Sequence, residues 1–203
     1  MVDFLRFADF VGIIAFVISA LSISTKERLD ILGLFIIAFL TALGGGVIRD
    51  ILVYRVPSSF AHMENVIIVI GTIFAGLILG FHRKNIDRNI LFVVTDSMGL
   101  VSFAITGALM GLKSGFTIFG VMFIALITAV GGGVMRDMLL NQVPLLLKSD
   151  FYGSVALLVG LVIYLLDYHK MLSSLSLSVV FVVGFTIRMA AFKLDWHLPK
   201  IKG

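Results

Sequence analysis

The sequence predicts an all-α integral membrane protein of seven transmembrane helices: two inverted three-helix repeats followed by a seventh helix. Three observations carry that prediction. The chain is 60% hydrophobic with only 14% charged residues and a mean hydropathy of +1.12, where soluble domains carry about 25% charged residues. Its apolar residues gather into seven runs separated by short polar connections. The heptapeptide Gly44-Gly45-Gly46-Val47-Ile48-Arg49-Asp50 returns 87 residues later as Gly131-Gly132-Gly133-Val134-Met135-Arg136-Asp137.

A helix crossing a bilayer needs about 20 mostly apolar residues. The runs that approach this length are Phe4–Ile23, Leu29–Val53, Val66–Phe81, Ile90–Leu112, Phe116–Leu140, Tyr152–Leu166 and Leu175–Phe192. The third and sixth are short and are expected to cross with little tilt. The first run lacks the basic start and small-residue cleavage site of a signal peptide, since Asp3 and Asp9 precede or enter it.

The repeat reaches beyond the glycines. Asp9–Pro57 aligns with Asp96–Pro144 without a gap, pairing Asp9 with Asp96, Gly12 with Gly99, Phe16 with Phe103, Gly33 with Gly120 and Thr41 with Thr128. One transmembrane domain, 1–203, is therefore expected to divide into repeat one (4–82), repeat two (90–168), a seventh helix (172–193) and a short tail (194–203). Three spans per unit is an odd number, so the second unit enters the membrane from the opposite side. Inverted repeats place binding or conduction sites near the midplane, at their interface.

Lysine and arginine in short loops set the orientation. Arg6, Arg55, Lys113 and Lys170 fall on one side. Lys26, Arg28, Arg83, Lys84, Arg88, Lys148, Lys193, Lys200 and Lys202 fall on the other. The richer side is cytoplasmic, which places the C-terminus inside and the N-terminus outside.

Candidate functional residues follow from what a membrane penalises. Three adjacent glycines in a helix interior cost about 1 kcal/mol each relative to alanine. Gly44, Gly45, Gly46 and Gly131, Gly132, Gly133 are thus expected to loosen spans two and five and release carbonyls toward an ion. The competing reading is close packing, which spaced glycines serve in membrane helices. Arg49 and Arg136 are charges at membrane depth, and such residues usually face the bundle interior. Asp9 and Asp96 lie at matching depths as partners, with Asp50 and Asp137 as alternatives. The competing reading for both arginines is that they snorkel to headgroups, and Arg188, five residues before Lys193, is assigned that role. Pro57 and Pro144 are expected to end the loosened helices.

Several chemistries have no support. Cysteine is absent, and His62, His82, His169 and His197 show no ligand spacing. No nucleotide, metalloprotease or nucleophile-elbow motif occurs. The basic residues form no nucleic-acid patch. No cofactor, tight metal site or enzymatic activity is expected.

The doubled Gly-Gly-Gly-x-x-Arg-Asp motif in a 3+3+1 chain resembles the trimeric intracellular cation (TRIC) channels, on their prokaryotic branch. The resemblance covers Asp9 to the end of span seven. It implies a homotrimer in membrane lipid with one pore per protomer, lined by spans two and five kinked at the glycines. It further implies a monovalent cation, chiefly K⁺, as the permeant ion. By position, Gly44–Gly46 and Gly131–Gly133 match the kinks, and Arg49, Asp50, Arg136 and Asp137 match the charged residues after them. Animal members carry a Lys-Glu-Val lipid-binding signature in span two, where this chain has Gly-Val-Ile-Arg-Asp. A secondary transporter of a small zwitterion, such as an amino acid, would use the same architecture, with an arginine clasping the carboxylate.

Overall fold

The computed structural model describes the chain except residues 1, 25–26, 28, 81–87, 149–150 and 197–203, and at 2–3 and 88–89 it describes the backbone alone. The basic loop and tail used for orientation fall largely outside the described residues. Nine α-helices follow in order among those described: α1 Val2–Ser24, α2 Ile31–Leu52, α3 Ser58–Ala61, α4 Glu64–Ile78, α5 Arg88–Lys113, α6 Ile118–Leu139, α7 Leu145–Lys148, α8 Tyr152–Tyr168 and α9 Ser174–Lys193. Five of them, α1, α2, α5, α6 and α9, are long and apolar enough to cross a membrane. The other two long helices, α4 and α8, are apolar but have only 15 and 17 residues. At 1.5 Å per residue they reach about 22 and 26 Å, short of a hydrocarbon core of about 30 Å.

The two halves start and stop their helices for the same local reasons. Asp30 caps α2 by accepting the Gly33 N–H at 2.7 Å, and Thr117, its equivalent, caps α6 by accepting the Gly120 N–H at 3.4 Å. Each helix ends at a left-handed residue, Tyr54 (φ 58°) and Asn141 (φ 54°), again equivalent. The one-turn helices α3 and α7 come next. Pro57 precedes α3 as its N-cap residue, and Pro144 accepts the Leu147 and Lys148 N–H groups of α7. The prolines therefore start these short helices, where the sequence reading had them ending α2 and α6.

Both glycine triads are helical throughout. The expected loosening, with carbonyls released from the helix, is not present. The reason is proximity: α2 and α6 cross with their backbones in contact at the triads. A methyl group at Gly45 would overlap the Thr128 backbone oxygen, and one at Gly132 would overlap the Thr41 backbone oxygen. Close packing thus uses adjacent glycines here. Gly44 and Gly131 lie at the same crossing, facing Met135 and Ile48. The third glycines point elsewhere: a methyl at Gly46 would lie 3.9 Å from the Arg49 guanidinium, and one at Gly133 would lie 3.6 Å from that of Arg136.

These contacts are reciprocal under the 87-residue shift. Phe16 and Phe103, a self-equivalent pair, meet with ring centroids 5.2 Å apart. Gly12 lies under Phe103, where a methyl group would be tightly held at 3.1 Å, and Gly99 under Phe16, where one would collide. One buried core joins the repeats, running through Phe16, Ala38, Val69, Phe103, Ala125, Val155 and Ile163.

Candidate functional site

The crossing of α2 and α6 carries a charged network at the last turn of each helix. In network one, Arg49 donates from Nε to Asp50 Oδ1 at 2.9 Å, and from Nη1 to Asp9 Oδ1 at 3.0 Å and Thr106 Oγ1 at 3.1 Å. In network two, Arg136 donates from Nε to Asp137 Oδ1 at 2.8 Å, and from Nη1 to Asp96 Oδ1 at 2.8 Å and Ser19 Oγ at 3.0 Å. Thr106 and Ser19 are themselves equivalent, so each network borrows a hydroxyl from the other repeat. The second oxygens of Asp50 and Asp137 accept the backbone N–H of Ser58 at 2.8 Å and of Leu145 at 2.9 Å. These aspartates therefore tie each arginine to the start of α3 or α7.

The expected pairs Arg49–Asp9 and Arg136–Asp96 are present, the alternative partners Asp50 and Asp137 bind the same arginines at the same time, and neither arginine snorkels. The side chains of Arg49 and Asp9 are 4% and 14% exposed, and those of Arg136 and Asp96 are 0% and 2% exposed. Burying a guanidinium costs several kcal/mol unless it is paired and hydrogen-bonded. Two carboxylates per arginine meet most of that need, Arg136 Nη2 alone of the guanidinium nitrogens of the two being buried without a partner, and leave each network with one formal negative charge in excess.

Network two has additions that network one lacks. Tyr152 donates its hydroxyl to Asp96 Oδ2 at 2.7 Å, and the Phe92 ring lies 4.8 Å from the Arg136 guanidinium carbon. Arg188 of α9 is buried, with its guanidinium carbon 5.3 Å from the Tyr152 ring centre. Its predicted snorkelling is therefore wrong, because it is buried against Tyr152 of α8. Sequence reasoning missed Ser19, Thr106 and Tyr152. The 87-residue alignment could have found Ser19 and Thr106, since both are small hydroxyls at matched positions.

The networks lie at different levels. Helix α1 supplies Asp9 to network one and Ser19 to network two, ten residues or about 15 Å apart along the helix. Helix α5 supplies Asp96 to network two and Thr106 to network one. Equivalent helices therefore run in opposite directions between the same two levels. Each network borders a cleft. Asp9, Arg49 and Asp50 line one of about 270 Å³, with Arg6, Arg55, Glu64 and Lys113 around them. Asp96 lines the other, of about 310 Å³, with Phe92, Phe151, Arg188 and Trp196. No group of three or more metal-ligating side chains occurs among the described residues.

Comparison with known proteins fits this doubled arrangement. The family model described as "Glycine transporter" matches residues 6–83 and again 93–168, once per repeat. The UPF0126 membrane protein YvgT of Bacillus subtilis is 34% identical over 190 residues, covering 93% of this chain and 92% of its own. Two solved structures are similar over nearly their whole length. One, of work on conductance through TRIC cation channels, is 31% identical with a TM-score of 0.84 and 97% coverage of both chains. The other, a prokaryotic TRIC channel crystallised in 0.5 M KCl, is 30% identical with a TM-score of 0.88, covering 98% of this chain and 100% of that one. By its doubled family match, its bacterial relative and its full-length structural likeness, this membrane protein belongs to the family described as glycine transporter, that of the prokaryotic TRIC channels.

Proposed function

We propose that this chain is a passive channel for monovalent cations, chiefly K⁺, acting as a homotrimer in the lipid bilayer with one pore per protomer. The observation that carries the reading is the pair of equivalent networks at the ends of α2 and α6. Each holds an arginine covered by two aspartates, and each borders a cleft. An unpaired guanidinium would repel a cation in a low-dielectric passage, and pairing removes that barrier. The path would run between the networks along α2 and α6, whose glycines Gly44, Gly45, Gly131 and Gly132 set the close crossing. Similarity to TRIC cation channels supports the ion class.

In this reading all seven long helices span the membrane, α4 and α8 together with the one-turn helices before them. Repeats 4–82 and 90–168 are inverted, 172–193 is the seventh helix, and 194–203 is a tail. The N-terminus lies outside a prokaryotic cell membrane and the C-terminus in the cytoplasm. The role calls for no catalysis and no cofactor.

A second reading is a secondary transporter of a small zwitterion, favoured by the description of the matching family model. Single-channel recording from purified protein in planar bilayers under a KCl gradient separates the two. Ohmic openings that pass many ions and reverse near the K⁺ potential are expected. Silent bilayers, together with saturable glycine uptake into proteoliposomes, would replace the channel with the carrier.

A further inference from the structure

Arg188 is a buried charge that hydrogen-bonds to neither network, although the Asp96 carboxylate attracts it. It lies on α9, outside the repeat, and 87 residues earlier the chain has Val101. It is 4% exposed and lines the cleft beside network two with Phe92, Asp96, Phe151 and Trp196. Its Nε has no hydrogen-bond partner, and among the described residues it makes no ion pair. The face of Tyr152 supports the guanidinium plane but accepts no hydrogen bond in it. A buried guanidinium short of acceptors is costly, and an acceptor delivered to its cleft-facing edge would offset part of that cost.

We propose that this cleft binds a small carboxylate, with Arg188 as its anchor. The planar fork of a guanidinium matches a carboxylate through two parallel N–H···O bonds. Phe92, Phe151 and Trp196 offer apolar walls for a short hydrocarbon portion, and about 310 Å³ accommodates a molecule of a few heavy atoms. The lining sets the carboxylates of Asp96 and Asp195 against the cations of Arg188 and Lys148, so its charges balance and a monoanion is favoured over a multiply charged oxyanion such as phosphate. The carboxylate belongs either to a simple aliphatic acid or to the carboxyl end of an amino acid. In the second case Asp96, whose oxygens already accept from Arg136 and Tyr152, takes the ammonium group as well. The proposal concerns binding and does not rest on conduction.

Trp196 is the sole tryptophan and stands in the cleft wall, so its fluorescence reports occupancy. The full chain in detergent micelles is titrated with sodium propionate, glycine and sodium chloride. A saturable change with propionate or glycine, absent with chloride, is expected. Arg188→Gln should raise the midpoint at least tenfold, and Arg188→Lys, which keeps the charge without the fork, several-fold. A glycine midpoint tenfold or more below that of propionate assigns the amino-acid source; otherwise the ligand is the simple acid. The proposal fails if neither carboxylate gives a saturable change, or if chloride gives the same midpoint. It also fails if the midpoint is unmoved in Arg188→Gln. Should that variant not fold, an unmoved midpoint in Arg188→Lys overturns the bidentate anchor.

Discussion

At the residue scale, the glycines and arginines take energetic roles that local propensity alone misjudges. Replacing Gly45 by alanine gains about 1 kcal/mol of helix propensity. It also drives a methyl into the Thr128 backbone oxygen, and overpacking of this kind costs about 1–3 kcal/mol. A collision with backbone cannot be relieved by a rotamer change, so the collision wins. Gly45→Ala and Gly132→Ala should lower the thermal unfolding midpoint in detergent, while Gly46→Ala, with 3.9 Å to its nearest neighbour, should hold or raise it. Equal midpoints across the three variants would dissolve the crossing argument. The arginines differ by burial. Arg136→Ala leaves Asp96 and Asp137, both nearly fully buried, without their shared cation, a loss of about 3–5 kcal/mol. Arg49→Ala should cost less, because Asp9 reaches water. Denaturant titrations in one detergent compare the two, and an equal or larger loss for Arg49→Ala would refute burial as the deciding factor. The charged pairs were legible in the sequence because buried charges must find partners and the repeat supplied matched ones. Tyr152 was not, since a tyrosine at the start of an apolar run is ordinary until α8 packs beside α5.

At the element scale, the sequence located the long helices because a bilayer demands long apolar runs. Helices α2 and α6 occupy equivalent positions, Ile31–Leu52 and Ile118–Leu139, as the ungapped alignment requires. The one-turn helices α3 and α7 were not foreseen. Four residues carry no periodicity, and their start is fixed from outside, by Asp50 and Asp137 accepting the first N–H groups. The triads were misread at this scale as well, since helix propensity charges for glycine but does not register what a second helix gains by approaching. Capping gives a test with graded outcome. Asp30→Ala removes a 2.7 Å acceptor and Thr117→Ala a 3.4 Å one. The first should destabilise the fold by about 1 kcal/mol and the second by less. Faster hydrogen exchange at the amides of Gly33 and Leu34 than at those of Gly120 and Val121 would show it. The reverse order would mean that the amides are held by something other than the caps.

At the scale of the whole molecule, the proposed arrangement follows from the number three. A unit with an odd number of spans, copied once, must return to the membrane upside down, and its equivalent residues then meet across a two-fold relation. The reciprocal contacts fit that relation, because Gly45 meets Thr128 as Gly132 meets Thr41, and Arg49 reaches Thr106 as Arg136 reaches Ser19. Helix α9 stands outside the relation, and with it comes the asymmetry: Arg188 and the aromatic wall belong to network two alone. The last prediction tests the inversion in the membrane itself. Lys113, at the end of α5, lines the cleft beside network one, and Lys148, in α7, lines the cleft beside network two. If α1 and α5 run oppositely across the bilayer, the two clefts open on opposite sides. The chain has no cysteine, so single cysteines at these positions stand on a clean background. With a membrane-impermeant maleimide, Lys113→Cys should label from outside intact cells, and Lys148→Cys only after the cells are opened. The excess of lysine and arginine on the Lys148 side predicts that polarity. Labelling of both from one side would break the inverted repeat. Labelling of each from the side opposite to that expected would keep the repeat and reverse the orientation of the chain.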